Sequence, residues 1–423
     1  MLAGVQLDVD HLREILEIVR LLAVTDDLDA LLHRIASAAT SLLKCERASI
    51  FVHDPDDDTL WTRVAIGTGT IRVPRRSGIV GACFSENMLI RAADAYTDPR
   101  FNPEPDRQSG FRTRDIIAAP MVDLTRKPIG VVEAINKRDG SFTEIDAALL
   151  QLLADQSGVA LQRYRLQQHA MQLTALHREM DLAKEVQVAL LPKHPVRTSN
   201  FIAQGWTRPA SITGGDGFDL WKTDDGRLGI FVADASGHGL APALVISQVR
   251  ALVRTIADGQ PQASPQEILS RVNARLRADL EAGRFVTAFL GFLSDDGQME
   301  WASGGHGPIL FRPDAASAWD KVPASTFPLG VLHPWYDPPP PPAHFGPGGA
   351  LVIISDGIFE AIDLAGHQFG ITRVTDCLDA QSAHPPARAI DTLRQAVESW
   401  QTTPDPRDDQ TIVVVKRSGD MGA

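Results

Sequence analysis

The sequence predicts an α/β domain with an antiparallel sheet, a long helical linker, and a C-terminal domain built as a layered α-β-β-α sandwich. Three observations predict it. Two amphipathic helices open the chain and are followed by short β-prone runs separated by turn residues. From Thr143 to Leu191 no proline interrupts a helical pattern. Beyond Pro192 the apolar runs become short and β-branched, with only a few helical stretches between them.

Composition bounds the function before any motif is read. With 423 residues, 44% of them apolar, the chain can fill the cores of two or three domains. A formal charge of −12 argues against nucleic acid as a partner. Cys45, Cys83 and Cys377 lie far apart without metal-ligand spacing, which fits a reduced compartment and no disulfide framework. No apolar run reads as the roughly 18 residues needed to cross a bilayer. The start, MLAGVQLDVD, lacks the basic-then-apolar pattern of a signal peptide. The expectation is a cytoplasmic protein without a membrane partner.

The elements follow in order. HLREILEIVRLLA and LDALLHRIASAATSLL carry leucine and isoleucine at helical spacing, with TDDLD between them as a cap. RASIFVHD and TLWTRVAI flank the acidic turn Asp54–Asp58, and IIAAPMVD pairs with PIGVVEAINK across LTRK. TEID opens the long helix as a capping box, Thr143 as N-cap and Asp146 reaching back. Within that helix Leu152, Val159, Leu166, Leu173 and Met180 recur every seven positions, interrupted by Gln156, Arg163 and Ala170. This reads as an imperfect parallel coiled-coil seam, hence a homodimer; the alternative is that the helix packs on its own domains. LGIFVAD, FVTAFLGFL, QMEWAS, PILFR, ALVIISD and TIVVVKR are the strands of the second block. Ser264 and Pro265 read as cap and first position of one of its helices, and the prolines 338–342 as a stiff surface connection.

In this second block four places set carboxylates where an apolar strand stops: TGGDGFD (Asp216, Asp219), FVADASGHG (Asp234), VIISDGIFE (Asp356, Glu360) and RDDQT (Asp408, Asp409). One such aspartate is usually a turn or a helix cap. Several converging carboxylates repel each other and stay ionised only with positive charge between them. All-oxygen ligation selects hard ions such as Mg²⁺ or Mn²⁺, and two of them can clamp a phosphoryl group. Ser236 and His238 are poor candidates for a nucleophile pair. They stand two apart on a glycine-rich turn without a third partner, and Asp234 occupies the place of the first glycine in a Gly-x-Ser-x-Gly elbow.

Residues 180–417 resemble the SpoIIE-like, RsbU-type branch of the metal-dependent (PPM) serine/threonine phosphatases, through DLAKEVQVALLP, GGDGFD, VADASGHG, FVTAF, SGGHGPIL, FPLGV, SDGIFEA and DDQTIVVV in that order. The resemblance implies that Asp234 bridges two Mn²⁺ or Mg²⁺ ions with help from the Ala235 carbonyl. It implies that Asp356 and Asp408 hold one ion and Asp216 serves the other. Asp219, Glu360 and Asp409 would be auxiliary carboxylates. His238 and His306 sit in matching glycine-rich turns, as turn residues or as proton donors to the leaving group. Three departures stand at the rim: Gly-Phe before Asp219, SGGHG without asparagine, and PGG before Ala350 and Leu351. None removes a core aspartate.

Residues from about 10 to 165 resemble a GAF domain, closest to those of cyclic-nucleotide phosphodiesterases, over GIVGACFSENMLIRAADAYTDPRFNPEPDRQSGFRTRDIIAAPM and NKRDGSFTEIDA. Asn136, Lys137, Phe142 and Asp146 fit that family's pocket motif, and Ala147 replaces its glutamate. A Lys137–Asp146 pair would tie the last hairpin to the long helix. The ligand stays open between a cyclic nucleotide, another small molecule, and none. Cys83 reads as a buried structural thiol. The domains expected are 1–165 (GAF sensor), 166–192 (helical linker) and 193–423 (phosphatase), hydrolysing phosphoserine or phosphothreonine on a regulatory protein, for this branch a STAS-type anti-sigma-factor antagonist. The alternatives are a pseudophosphatase and a ligand-sensing scaffold.

Overall fold

The computed structural model describes residues 9–23, 25–62, 71–237, 239–280, 283–335, 340–401, 403 and 405–418. The chain divides into two compact units, one ending at Thr174 and the other beginning at Ala175. His238 and prolines 338 and 339, singled out above, lie outside the described residues.

The first unit holds α1 (Val9–Ala23), α2 (Leu28–Leu43), β1 (Cys45–Asp54), β2 (Thr59–Thr62), β3 (Ile71–Pro74), α3 (Gly78–Glu86), β4 (Ile90–Ala92), α4 (Glu104–Ser109), β5 (Ile116–Val122), β6 (Pro128–Lys137) and the first turns of α5 (Glu144–Leu190). Its strands form one antiparallel sheet in the order β3-β2-β1-β6-β5-β4. Strand alternation sorts the side chains. Ile50, Val52, Val132 and Ala134 pack with α2 and the buried start of α5, while Phe51 and Val131 pack with α3 and β4. Asp27 caps α2 by accepting from the Ala30 amide at 2.8 Å. Asp146 Oδ2 accepts from the Thr143 amide at 2.8 Å while Thr143 Oγ1 accepts from the Asp146 amide, which closes the box at the head of α5. The acidic turn after β1 is occupied by arginine: Arg72 reaches Asp54 and Asp57 (3.0 and 2.6 Å) and Arg75 reaches Asp58 (3.3 Å).

The second unit holds the end of α5, β7 (Val196–Arg197), β8 (Phe201–Arg208), β9 (Asp216–Lys222), β10 (Leu228–Ala235), α6 (Leu240–Gly259), α7 (Pro265–Asp279), β11 (Val286–Leu293), β12 (Gln298–Gly304), β13 (Ile309–Arg312), β14 (Asp320–Val322), β15 (Ala343–His344), β16 (Ala350–Ile354), α8 (Asp356–Phe359), α9 (Gly370–Asp379), α10 (Pro386–Trp400) and β17 (Gln410–Arg417). Two antiparallel sheets face each other, β15-β12-β11-β10-β9 and β14-β13-β16-β17-β8-β7. Between them lies a core of Phe218, Ile230, Phe289, Ile353 and Val413. A second layer joins α6 and α7 to the first sheet through Val249, Val253, Leu269, Ala233 and Leu290. A third joins α9 and α10 to the other through Val374, Leu393, Val352 and Val414. This is an α-β-β-α sandwich.

One expectation needs correction. Among the described residues α6 is long and apolar enough, by length and composition alone, to cross a membrane. Arg250, Arg254 and Asp258 interrupt its apolar run. Its apolar stripe of Ile246, Val249 and Val253 packs on the first sheet, and its arginines pair with Asp219.

Candidate active site

Alternation along β9 and β10 decides which carboxylates meet. The two strands are antiparallel, with Asp216 directly opposite Asp234. Phe218 and Leu220 on β9, and Ile230 and Val232 on β10, point into the core between the sheets. Asp216 and Asp234 keep that parity, so both face the opposite sheet. From that sheet come Asp356, the first residue of α8 beyond β16, and Asp408–Asp409, just before β17.

The carboxylates feel one another. Burial, and then Asp356, Asp408 and Asp409, push Asp234 up to about 7. Burial and Asp234 hold Asp216 well above the usual carboxylate range, against the pull of the Thr411 and Ser355 hydroxyls. Asp356 is raised by burial, then by Asp408 and Glu360. Asp216 Oδ2 is buried without a hydrogen-bond partner. The carboxylates are not drawn into a closed cage: among the described residues no three His, Cys, Asp or Glu side chains stand together as a ready metal site. The backbone supplies another oxygen. A side chain begun on Gly215 would lie 2.6 Å from the Ala235 carbonyl oxygen and 3.5 Å from Asp234 Oδ1, so that carbonyl and carboxylate line one recess. A buried acceptor without a donor, with the Ala235 carbonyl and the Asp234 carboxylate close by the same loop, offers the oxygen ligands that a hard divalent cation takes.

The remaining carboxylates divide by role. Asp409 holds the loop that carries Asp216: it accepts from the amides of Ala210 (2.7 Å), Gly215 (2.5 Å) and Asp216 (3.3 Å). Glu360 ends α8 beside Asp356. Asp219 is not brought to the cluster. Three residues from Asp216, it has the opposite parity and faces α6, where Arg250 Nε lies 3.0 Å and an Arg254 nitrogen 3.5 Å away. Burial raises its carboxyl and the two arginines draw it back.

Ser236 is tied into the fold: its Oγ accepts from the Phe285 amide and its own amide donates to the Phe285 carbonyl, both at 3.0 Å. His306 is buried, and burial pushes its imidazole down to about 4. Its Nδ1 lies 3.0 Å from Thr287 Oγ1, the residue opposite Asp234 on β11, and its Nε2 has no partner. In the first unit Lys137 Nζ lies 2.6 Å from Asp146 Oδ1 and donates to the Leu43 carbonyl at 2.8 Å. Asn136, at φ 59°, accepts from the Arg114 amide and donates to Glu46, and Phe142 is buried. Burial raises the Cys83 thiol.

Gln187 near the end of α5 escaped the sequence reading. Its side chain donates to the Gly214 carbonyl at 2.8 Å and accepts from the Gly214 amide at 3.3 Å, two residues before Asp216. Gln187, Lys184, Leu191, Trp206, Asp216 and Phe218 line a cavity of about 250 Å³ there. A single helical glutamine carries no pattern that marks it. Only its place in DLAKEVQVALLP, within the resemblance, could have drawn attention.

Residues 27–161 match the GAF domain family profile, and residues 224–418 match that of Stage II sporulation protein E (SpoIIE). Among curated proteins the chain is similar to a probable 3',5'-cyclic phosphodiesterase, pde-5, of Caenorhabditis elegans, 30% identical over 33% of this chain and 21% of the relative. It is similar also to the dual 3',5'-cyclic-AMP and -GMP phosphodiesterase 11A of Takifugu rubripes, 27% identical over 36% and 18%. The chain thus spans about a fifth of the length of these relatives. Among solved structures the SiaA-PP2C domain of Pseudomonas aeruginosa is 20% identical, with a TM-score of 0.49 over 58% of this chain and 97% of that one. The RsbU and RsbW domains of a Mycobacterium tuberculosis protein are 24% identical, with a TM-score of 0.44 over 55% and 63%.

Proposed function

We propose that this chain, which carries a GAF domain followed by a SpoIIE-type, PP2C-like serine/threonine phosphatase domain, removes phosphate from a regulatory protein by a two-metal mechanism under the control of its GAF domain. The observation that carries the reading is Asp216 paired directly opposite Asp234, with Asp234 pushed up to about 7 by burial and then by Asp356, Asp408 and Asp409. In this reading Asp234 would serve both ions, with the Ala235 carbonyl helping one of them; Asp356 and Asp408 would hold one ion and Asp216 would serve the other. When bound, Mn²⁺ or Mg²⁺ supplies the charge that lets these carboxylates ionise together and that neutralises phosphoryl oxygens. Asp409 fixes the Asp216 loop through three amides, so the recess is shaped before any ligand arrives. Ser236 is fixed to the Phe285 backbone, its Oγ accepting from the Phe285 amide and its own amide donating to the Phe285 carbonyl, which argues against a covalent seryl intermediate.

The domain division proposed is 1–165, 166–192 and 193–423. A STAS-type phosphoprotein is the substrate proposed, and a cyclic nucleotide or another small ligand the effector. Leu166, Leu173 and Leu176 are each more than half exposed on α5, which supports a homodimer through that helix; sedimentation that gives a monomer at micromolar concentration would end that part. The free cysteines Cys45, Cys83 and Cys377 fit a cytoplasmic location. The test is phosphate release from p-nitrophenyl phosphate and a phosphoserine protein with Mn²⁺ or chelator, in the wild type and Asp356→Asn. Metal-dependent turnover lost in the variant is expected. Absence of turnover in both the whole chain and residues 166–423 would mean a pseudoenzyme.

A further inference from the structure

A cavity of about 570 Å³ opens along the edge of the sandwich away from β9, where the last strands of the two sheets, β14 and β15, both contribute to its lining. Its floor is aromatic. Trp301 on β12 and Phe311 on β13 come from facing sheets and meet with ring centroids 5.5 Å apart, and Phe345 lies 6.0 Å from Phe311. Proline keeps the space open. Pro323 follows β14 and prolines 340–342 lead into β15; with no N–H to offer, none of them can continue a ladder across the gap. The 340–342 segment is instead tied to the floor, its Pro341 carbonyl accepting from Trp301 Nε1 at 3.3 Å. Asp320 stands directly opposite Phe311 on the neighbouring strand, so both side chains fall on the face turned toward the other sheet, whereas Arg312 and Lys321 fall on the face turned toward α9. Among the described residues that line the cavity Asp320 is the one carboxylate and none is a lysine or arginine. The Asp320 carboxylate has no hydrogen-bond or ion-pair partner among the described residues.

We propose that this cavity is a binding site for a small organic cation, an ammonium group carried on an aromatic or alkyl body. Its volume falls within the range of pockets that enclose small ligands. The body fills the space above Trp301 and Phe311, and the ammonium lies within reach of Asp320. Two features select a cation over a neutral or anionic molecule. Aromatic faces carry negative charge density and attract cations. The carboxylate at the lining has no cation of its own to neutralise it, so a ligand that brings one gains an ion pair that no other class can make. The site is separate from the carboxylate recess. On β11, Gly291 marks the level of Trp301 and Thr287 that of Asp234, roughly 13 Å apart along the strand.

The test is titration calorimetry of the full-length chain with 4-phenylbutylamine, and with 4-phenylbutanol and 4-phenylbutanoate as its neutral and anionic counterparts. The amine should bind about fivefold tighter than the alcohol, the worth of one solvent-exposed ion pair with a cation–π contact, and the carboxylate should bind weakest. Asp320→Asn should cut the amine's advantage to about twofold or less and leave the alcohol unchanged. Ala324→Trp, which fills the cavity from its wall, should weaken all three ligands. A thermal melt checks that this variant has folded, and Asp320→Asn, at an exposed position, decides the matter where it has not. Equal binding of amine and alcohol, preference for the carboxylate, or no binding of the amine at millimolar concentration would overturn the proposal. So would full amine affinity in Asp320→Asn. An oligolysine peptide that displaces the amine at lower concentration would overturn it in favour of a basic protein segment.

Discussion

Replacing Gln187 with alanine removes two hydrogen bonds from Gly214, the residue that leads into Asp216. Both are partly buried, and each is worth about 1 kcal/mol net, less where water from the adjoining cavity can replace the side chain. The pair therefore contributes about 1–2 kcal/mol to holding the loop in place. If the metal-competent recess requires that loop, the same energy appears as a roughly 5- to 30-fold rise in the Mn²⁺ midpoint. The assay is titration calorimetry with Mn²⁺ on full-length wild type and Gln187→Ala, with a thermal melt as the control for general destabilisation. A midpoint unchanged within twofold, with the loop amides equally protected from hydrogen exchange, would refute the claim that α5 supports the recess.

Three further outcomes are expected. Because Asp234 is raised to about 7, well above its unfolded value, the metal-free fold loses stability as pH rises from about 4 toward 7. His306, lowered to about 4, works in the opposite sense but is common to both metal states. The Tm gain from Mn²⁺ should therefore grow between about pH 5.5 and 7.5, and a pH-independent gain would contradict the shared recess. Asp219→Asn should leave the Mn²⁺ midpoint unchanged and lower stability by about 1–2 kcal/mol, since its carboxylate is engaged with α6, whereas Asp216→Asn should abolish metal binding. Lys137→Met should cost the first unit about 3 kcal/mol in calorimetric unfolding, by leaving Asp146 buried without its cation, and Lys137→Met with Asp146→Leu should recover part of it.

Much of this was legible because strand and helix periods write themselves into a sequence. The alternation that buries Ile230 and Val232 also aims Asp234, and the Thr143–Asp146 box announces the start of α5. What failed was grouping by proximity. Asp216 and Asp219 sit in one motif, yet an odd separation on a strand sends them to opposite faces of the sheet. The support from Gln187 could not be read, because its partner is a backbone group 27 positions away and backbone groups have no letter of their own. Nor could the neutrality of His306, which depends on burial from residues that fold over it.

The proposed ligand set takes Asp216 and Asp234 from one sheet of the sandwich and Asp356 and Asp408 from the segments that follow β16 and precede β17 of the other. It therefore works as a caliper as well as a ligand set. Any substitution in the layer between, at Phe218, Phe289 or Ile353 for example, that thickens or thins the gap changes the jaw opening at the acidic end without touching a single aspartate. Conversely, whatever closes on those jaws rivets the two halves of the fold. In such a design the spacing of an apolar core sets a chemical tolerance, and a change of side-chain volume deep inside would be felt as altered activity as well as lost stability.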